Sequence, residues 1–98
     1  MSQPKPQAAR FKLTLFVVAN DPNSMLAEEN LRHICAEYLR AGECTVRIVD
    51  VLAEFEVALE HDVLVTPTLI VEGPRGRSTI LGNLSDIDRI VLTLGSKS

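Results

Sequence analysis

The chain has 98 residues, of which 46% are hydrophobic and only four are aromatic, so it is long enough for one aliphatic core and too short for two ordinary domains. Its formal net charge is −3, with acidic and basic residues interspersed, which excludes the continuous basic surface that nucleic-acid binding requires. No apolar stretch is long enough to span a bilayer, and the run at 13–19 lacks a signal-peptide cleavage site, so we expect a cytoplasmic protein.

The beginning of the chain predicts a tail and then a buried strand. Residues 1–10 contain two prolines and no apolar periodicity, which predicts a flexible N-terminal tail before a single domain over residues 11–98. Residues 11–18 are almost continuously apolar. That pattern is typical of a strand covered on both faces, so we predict a central position in the sheet.

The first helix has clear signals for its start and its end. Capping side chains and a proline suited to the first turn are offered by Asn20, Asp21, Pro22, Asn23 and Ser24. Apolar residues recur at helical spacing after them, which predicts an inward face made of Ala27, Leu31, Ile34, Cys35 and Tyr38. Gly42 suits a left-handed terminator, so the helix is predicted to end at about Ala41.

A second strand and a short second helix follow. Residues 44–49 alternate in polarity and are rich in β-branched side chains, which predicts a strand that runs parallel to the first because a helix connects them. The short helix is marked by the apolar residues Leu52, Phe55 and Leu59. Its exposed side would carry Glu54, Glu56 and Glu60.

The second half of the chain predicts a hairpin. Pro67 has no backbone N–H to donate, so the third strand is predicted to begin at Thr68 and to run to Val71. Residues 72–77 read as a turn, because Pro74 fits its first central position and Gly76 supplies a positive φ. An antiparallel fourth strand over 78–81 completes the hairpin.

A third helix is predicted at the end of the chain. Ser85, with Asp88 three residues later, resembles a capping box. The helix would end at Gly95 and present one apolar face made of Ile87, Ile90, Val91 and Leu94.

This order, βαβαββα, resembles the minimal thioredoxin-like arrangement, an α/β fold with a mixed four-stranded sheet and three helices. In that fold a proline opens the third strand beside the loop that begins the first helix, and Pro67 occupies that place, so we predict a cis bond after Thr66. Redox members of the fold carry a reactive cysteine in the loop. Here residues 20–24 contain no thiol, so Cys35 and Cys44 are interpreted as structural and no catalytic residue is predicted.

Four short segments together resemble the KaiB family over roughly residues 11–94. They are LFVVANDPNS at 15–24, VDVL at 49–52, VTPTL at 65–69 and LGNLSD at 81–86. The resemblance implies a non-enzymatic protein that binds a hexameric KaiC-type ATPase, in a circadian clock or a related signalling or stress system. It also implies two accessible folds, a thioredoxin-like monomer that is competent to bind and a tetrameric ground state whose C-terminal half is rearranged.

Two departures from the usual sequence of that family affect the expected fold and partner. Family members commonly have a proline run where this chain has Glu72 to Arg75, and the Gly-Pro-Arg-Gly turn found here favours a plain hairpin. We therefore expect the thioredoxin-like state, with the rearranged fold as the alternative and Thr66 and Pro67 as the hinge between them. Members commonly have a lysine where Asp62 stands, which reverses a charge near the implied partner surface.

In a thioredoxin-like sheet the strand over 44–50 lies at the edge, where it offers unpaired backbone groups to a partner. Together with the acidic helix beside it, this strand predicts a binding surface made of Arg47, Val49, Asp50, Glu54 and Asp62. The alternative is an edge that Arg47 guards against pairing. Residues 20–24 likewise have two interpretations, a degenerate active-site loop that touches a partner and a simple capped helix start.

The function that the resemblance implies is an adaptor for a KaiC-type ATPase ring, with a dimer or tetramer of this chain as further assemblies. Two alternatives stay open, a thioredoxin-like thiol oxidoreductase and the sensing domain of a KaiC-reading histidine kinase, which shares the fold. The two histidines lack metal-ligand spacing and the glycines do not form a phosphate-binding loop, so no metal or cofactor is predicted.

Overall fold

The described part of the chain forms four strands and three helices in the predicted order. The structure, a computed structural model, describes residues 10–40 and 42–94. Its elements are β1 Phe11–Val17, α1 Pro22–Tyr38, β2 Cys44–Asp50, α2 Phe55–Glu60, β3 Thr68–Gly73, β4 Gly76–Leu81 and α3 Ile87–Leu94. The predicted tail, apart from its last residue, and the helix end at Gly95 lie outside the described residues.

The sheet is mixed and has the strand order β2-β1-β3-β4. β1 pairs in parallel with β2 and antiparallel with β3, and β3 pairs antiparallel with β4. β1 is therefore an inner strand and β2 an edge strand, as predicted. This arrangement confirms the α/β class and the thioredoxin-like topology.

The two faces of the sheet pack against different helices, because successive side chains of a strand point to opposite sides. On one face, Leu15 and Leu69 pack with Leu31 of α1 and Ile90 of α3 in the larger core cluster. On the other face, the smaller cluster is completed by α2 and consists of Phe16, Val49, Ala58 and Ile70. α1 and α3 thus share one side of the sheet, and of the helices in the described residues only the short α2 lies on the other.

α1 ends three residues earlier than predicted. Tyr38 is its last residue, and Leu39 has extended backbone angles, with φ −124° and ψ 149°. Leu39 is 9% exposed and belongs to the larger core cluster, so burial of its side chain favours the turn at this point. Gly42 does have a positive φ, of 83°, but it serves the turn before β2 instead of the helix end. Tyr38, predicted to face the core, is exposed.

The hairpin between β3 and β4 is tighter than predicted. The ladder continues through Glu72↔Arg77 to Gly73↔Gly76, so each strand is two residues longer than its apolar pattern indicated. Gly76 has the expected positive φ, 124°. Gly73 is required for a different reason, because a Cβ there would lie 2.7 Å from Cδ1 of the Phe11 ring.

Asp86, and not Ser85, caps α3. The backbone N–H of Arg89 donates to Oδ1 of Asp86 at 3.2 Å, and the N–H of Ile90 donates to the Asp86 carbonyl oxygen. The Ser85 N–H donates to Oδ1 of Asn83, so Ser85 belongs to the preceding turn. The inward face of the helix is as predicted, with Ile90 and Leu94 buried.

Candidate partner-binding surface

The segments that carry the family resemblance meet at one end of the sheet. Val17 pairs with Asp50 where the parallel strands β1 and β2 end. Phe16 pairs with Thr68 at the start of β3, and Thr68 pairs with Leu81 at the end of β4. The strand ends therefore bring the segments at 15–24, 49–52, 65–69 and 81–86 to the same edge of the molecule.

The loop before α1 has the geometry of a capped helix start. Oδ2 of Asp21 accepts a hydrogen bond from the Ser24 N–H at 3.0 Å, and Pro22 begins the helix. Ser24 is buried, and its Oγ accepts from the Val18 N–H at 3.1 Å. Asn20 has a φ of 68°, which places it in the left-handed region. The side chains of Asp21 and Ser24 thus satisfy the backbone of their own loop.

A cleft of about 400 Å³ lies beside this loop. It is lined in part by Asn23, Thr66, Pro67, Asn83 and Arg89. The Thr66–Pro67 bond is cis, and the Pro67 carbonyl oxygen accepts from the Gly82 N–H at 2.9 Å. The structure therefore brings one residue of the loop, Asn23, next to the predicted hinge. The residues predicted to bind a partner do not line this cleft; they are Arg47, Val49, Asp50, Glu54 and Asp62.

The backbone hydrogen bonds at the two ends of β2 show which of its N–H and C=O groups point away from β1. The Phe11 N–H donates to the Glu43 carbonyl oxygen, and the Val51 N–H donates to the Val17 carbonyl oxygen. In a parallel pair of strands, every second residue directs both its N–H and its C=O to the same neighbouring strand, and the residues between them direct theirs the other way. Since Glu43 and Val51 bond to β1, the odd-numbered residues of β2 between them bond to β1 as well. The N–H and C=O groups of Val46 and Ile48 consequently point to the open side of the sheet.

The five residues predicted to form the partner surface have different environments. Arg47 is exposed, and its Nη2 lies 2.9 Å from Oε1 of Glu54. Val49 is fully buried in the smaller core cluster, so its side chain offers no exposed surface, and its predicted interface role stays a prediction. Oδ1 of Asp50 accepts from the Leu52 N–H, while Asp62 is exposed with a φ of 58°.

The residues that sequence reasoning missed at this edge are Val46 and Ile48, which are 45% and 41% exposed. β-branched alternation in β2 was visible in the sequence. Which of the two alternating sets lies on the α1 face and which on the α2 face depends on the register with β1, and that register follows from tertiary packing.

α2 exposes the apolar residues that predicted it. Leu52, Phe55 and Leu59 are 75%, 58% and 65% exposed, and α2 instead buries Ala58 against Phe16 and Ile70. A helix of six residues can pack only one turn against the sheet, and the small side chain of Ala58 allows the helix to approach the sheet closely. We call these three exposed apolar residues, which follow β2 in the chain, the α2 patch.

The two cysteines lie in contact, although nine positions separate them. Cys35 on α1 and Cys44 at the start of β2 are both half-buried free thiols, with their Sγ atoms 3.7 Å apart. Burial, and secondarily the neighbouring Cys44, raises the pKa of Cys35 from 9.0 to about 12. Cys35 therefore keeps its proton at neutral pH, unlike the thiols of thioredoxin-type active sites.

Residues 10–40 and 42–94 contain neither a metal-binding cluster nor a membrane-crossing helix. In that part of the chain no three His, Cys, Asp or Glu side chains are grouped to hold a metal ion. None of its helices combines the length and the apolarity needed to cross a membrane.

Solved structures confirm the fold. The N-terminal domain of Synechococcus elongatus SasA superposes with a TM-score of 0.73 and 22% identity, over 96% of this chain and 88% of that domain. Mitochondrial thioredoxin 3 from Saccharomyces cerevisiae superposes with a TM-score of 0.71 and 14% identity, over 87% of this chain and 79% of the thioredoxin. At these identities the likeness concerns the thioredoxin-like fold alone.

Relatives identified by sequence show the family to which the chain belongs. The circadian clock oscillator protein KaiB of Synechococcus sp. (strain RCC307) is 40% identical over 83 residues, which cover 84% of this chain and 74% of the relative. The circadian clock protein KaiB3 of a Synechocystis species is 35% identical over 85 residues, covering 87% of this chain and 82% of that protein. The KaiB domain model matches residues 14–96. The chain therefore belongs to the KaiB family.

Proposed function

We propose that this protein is a non-enzymatic regulatory adaptor that binds a KaiC-type hexameric ATPase ring. The observation that carries this proposal is the match of residues 14–96 to the KaiB domain, together with relatives named as circadian clock proteins at 35–40% identity. The loop before α1 has no thiol, and the pKa of the Cys35 thiol is raised, which supports an adaptor over a thiol enzyme.

The partner is proposed to add a segment to the open edge of β2. Main-chain groups of Val46 and Ile48 would pair with the incoming segment, because they point away from β1. The α2 patch, which follows β2 in the chain, would supply apolar contact area, while Arg47, Glu54 and Asp62 would select the partner by charge. Val49 contributes through the core that holds β2 in place.

The direct test is co-elution of this protein with a KaiC-type ATPase ring during size-exclusion chromatography, with and without ATP. We expect a complex larger than the ring in at least one nucleotide state. A run of the protein alone gives its own oligomeric state, so a shift caused by a homodimer or homotetramer is recognised. Separate elution in every nucleotide state would contradict the proposal.

Replacement of Ile48 by proline tests the edge itself. Ile48→Pro removes an N–H on the open side of β2 without removing a bond to β1, so the protein should fold and bind the ring at least tenfold more weakly, about the effect of one lost hydrogen bond with added steric conflict. The matched control is Ile48→Ala, which shortens the same side chain and keeps the N–H. Equal binding by the two variants would contradict edge pairing, provided that circular dichroism shows both folded.

The non-enzymatic part of the proposal has its own test, the reduction of insulin disulfides. The wild-type protein is compared with the Cys35→Ser and Cys44→Ser variants in the presence of a reductant. We expect all three to match the uncatalysed rate, since neither cysteine lies in the loop before α1. Catalysis that disappears in a serine variant would establish the thiol oxidoreductase alternative.

A further inference from the structure

The contact between Cys35 and Cys44 is not used by the proposed binding surface. Cys44 pairs with Phe11 at the opposite end of β2 from Asp50, which pairs with Val17. The thiol pair therefore lies at the far end of the sheet from the segments that carry the family resemblance.

We propose that Cys35 and Cys44 form an oxidisable dithiol, which a peroxide converts to an intramolecular disulfide that fastens the last turn of α1 to the first residue of β2. The two sulfurs are 3.7 Å apart in the reduced protein. A disulfide needs about 2.05 Å, a closure of under 2 Å that side-chain rotation and a small shift of the α1–β2 turn supply.

Access to the pair comes from its position at the surface. Both thiols are only half-buried. A cleft of about 200 Å³ between α1 and β2 is lined by Leu31, Cys35, Val46 and Ile48, among others. Hydrogen peroxide is small enough to enter this cleft. Because the raised pKa keeps Cys35 protonated at neutral pH, we take Cys44 as the thiol that is oxidised first and Cys35 as the one that closes the disulfide.

The reaction is balanced with the peroxide as the sole oxidant. The Cys44 thiol takes an oxygen atom from hydrogen peroxide and becomes a sulfenic acid, with release of one water. The Cys35 sulfur then attacks the Cys44 sulfur, the S–O bond breaks, and the hydroxyl leaves with the Cys35 proton as a second water. Two thiols lose two protons and two electrons in total, and one peroxide is reduced to two waters.

Tryptic mapping after peroxide treatment tests the proposal. Trypsin cleaves after Arg32, Arg40 and Arg47, so the disulfide would join peptides 33–40 and 41–47. We expect the treated monomer to lose two hydrogens in mass, to yield this linked pair, and to recover on reduction. The Cys35→Ser and Cys44→Ser variants should yield no linked pair. Oxygen addition or intermolecular dimers without the linked pair, in the wild-type chain, would overturn the proposal.

A second measurement tests whether the fold, and not only the short distance between the two cysteines in the sequence, favours the disulfide. The oxidised fraction is followed in glutathione redox buffers, for the folded protein and for the chain in denaturant. Because the fold holds the sulfurs in contact, we expect the effective concentration of the pair to be about tenfold or more higher when folded. An equal or lower value in the folded protein would overturn the proposal, because the fold would then not favour the bond. The assay needs no partner, so its outcome is independent of the proposed function.

Discussion

Asp21 determines where α1 begins, because its carboxylate accepts the Ser24 N–H at 3.0 Å. We expect Asp21→Ala to lower the free energy of unfolding by about 1 kcal/mol, the usual cost of losing an N-cap. Asp21→Asn keeps an accepting oxygen at the same place, so it should cost much less. Denaturant titration of the three proteins measures the difference.

The same pair of variants decides between the two interpretations of the loop. If the loop is only a capped helix start, Asp21→Asn should bind an ATPase ring as the wild type does. A variant that keeps full stability and loses binding would instead identify Asp21 as a contact of a partner.

Cys35 should make the stability of the reduced protein depend on alkaline pH. Its folded-state pKa of about 12 lies above its ordinary 9.0, mainly because of burial. The unfolded chain therefore releases this proton first as the pH rises, so stability is complete below about pH 9 and declines as the pH rises towards 12. Denaturant unfolding between about pH 8 and pH 11 measures the decline, and Cys35→Ser should remove part of it. Identical slopes for the two proteins would contradict the raised pKa.

At the scale of elements, α2 shows why a correct helix prediction can have the wrong orientation. Leu52, Phe55 and Leu59 recur at a spacing that indicates a helix, and a helix is found at Phe55–Glu60. The spacing cannot say which side packs, because Val57 and Ala58 also form a narrow apolar strip. The sheet surface under α2 is filled by the buried side chains of Phe16 and Ile70, so the side of the helix that packs there is the one that carries the small Ala58 side chain.

Two neighbouring substitutions check this orientation. Ala58 is 6% exposed, so Ala58→Gln introduces both excess volume and a buried amide, and we expect a loss of about 1–3 kcal/mol in the free energy of unfolding. Leu59→Gln changes a side chain that is 65% exposed and should stay within about 0.5 kcal/mol. The reverse order of the two effects would restore the predicted inward face of Leu59.

For the whole molecule, the order of elements and the topology followed from local patterns, but the contacts between distant segments did not. Pro67 indicated the start of β3, and the Gly-Pro-Arg-Gly turn indicated the hairpin. The contact of Cys35 with Cys44 and the position of the Ile48 side chain on the α1 face of the sheet depend on the register between β1 and β2, which the buried residues of both faces determine together. The hinge role of Thr66 and Pro67 stays a prediction.

The C-terminal half offers the clearest test of which fold the protein has in solution. In the thioredoxin-like state Ile90 is 1% exposed in the larger core cluster, while Leu92, two positions later on α3, is 69% exposed. Ile90→Ala should therefore lower the free energy of unfolding by about 2–5 kcal/mol, because it leaves a cavity, and Leu92→Ala should change it by less than about 0.5 kcal/mol. A rearranged C-terminal half would take both residues out of these environments. Denaturant unfolding measures the two losses in the free energy of unfolding. Similar losses for the two variants would favour the rearranged fold. A much larger loss for Ile90→Ala is what packing of α3 on the sheet beside α1 predicts.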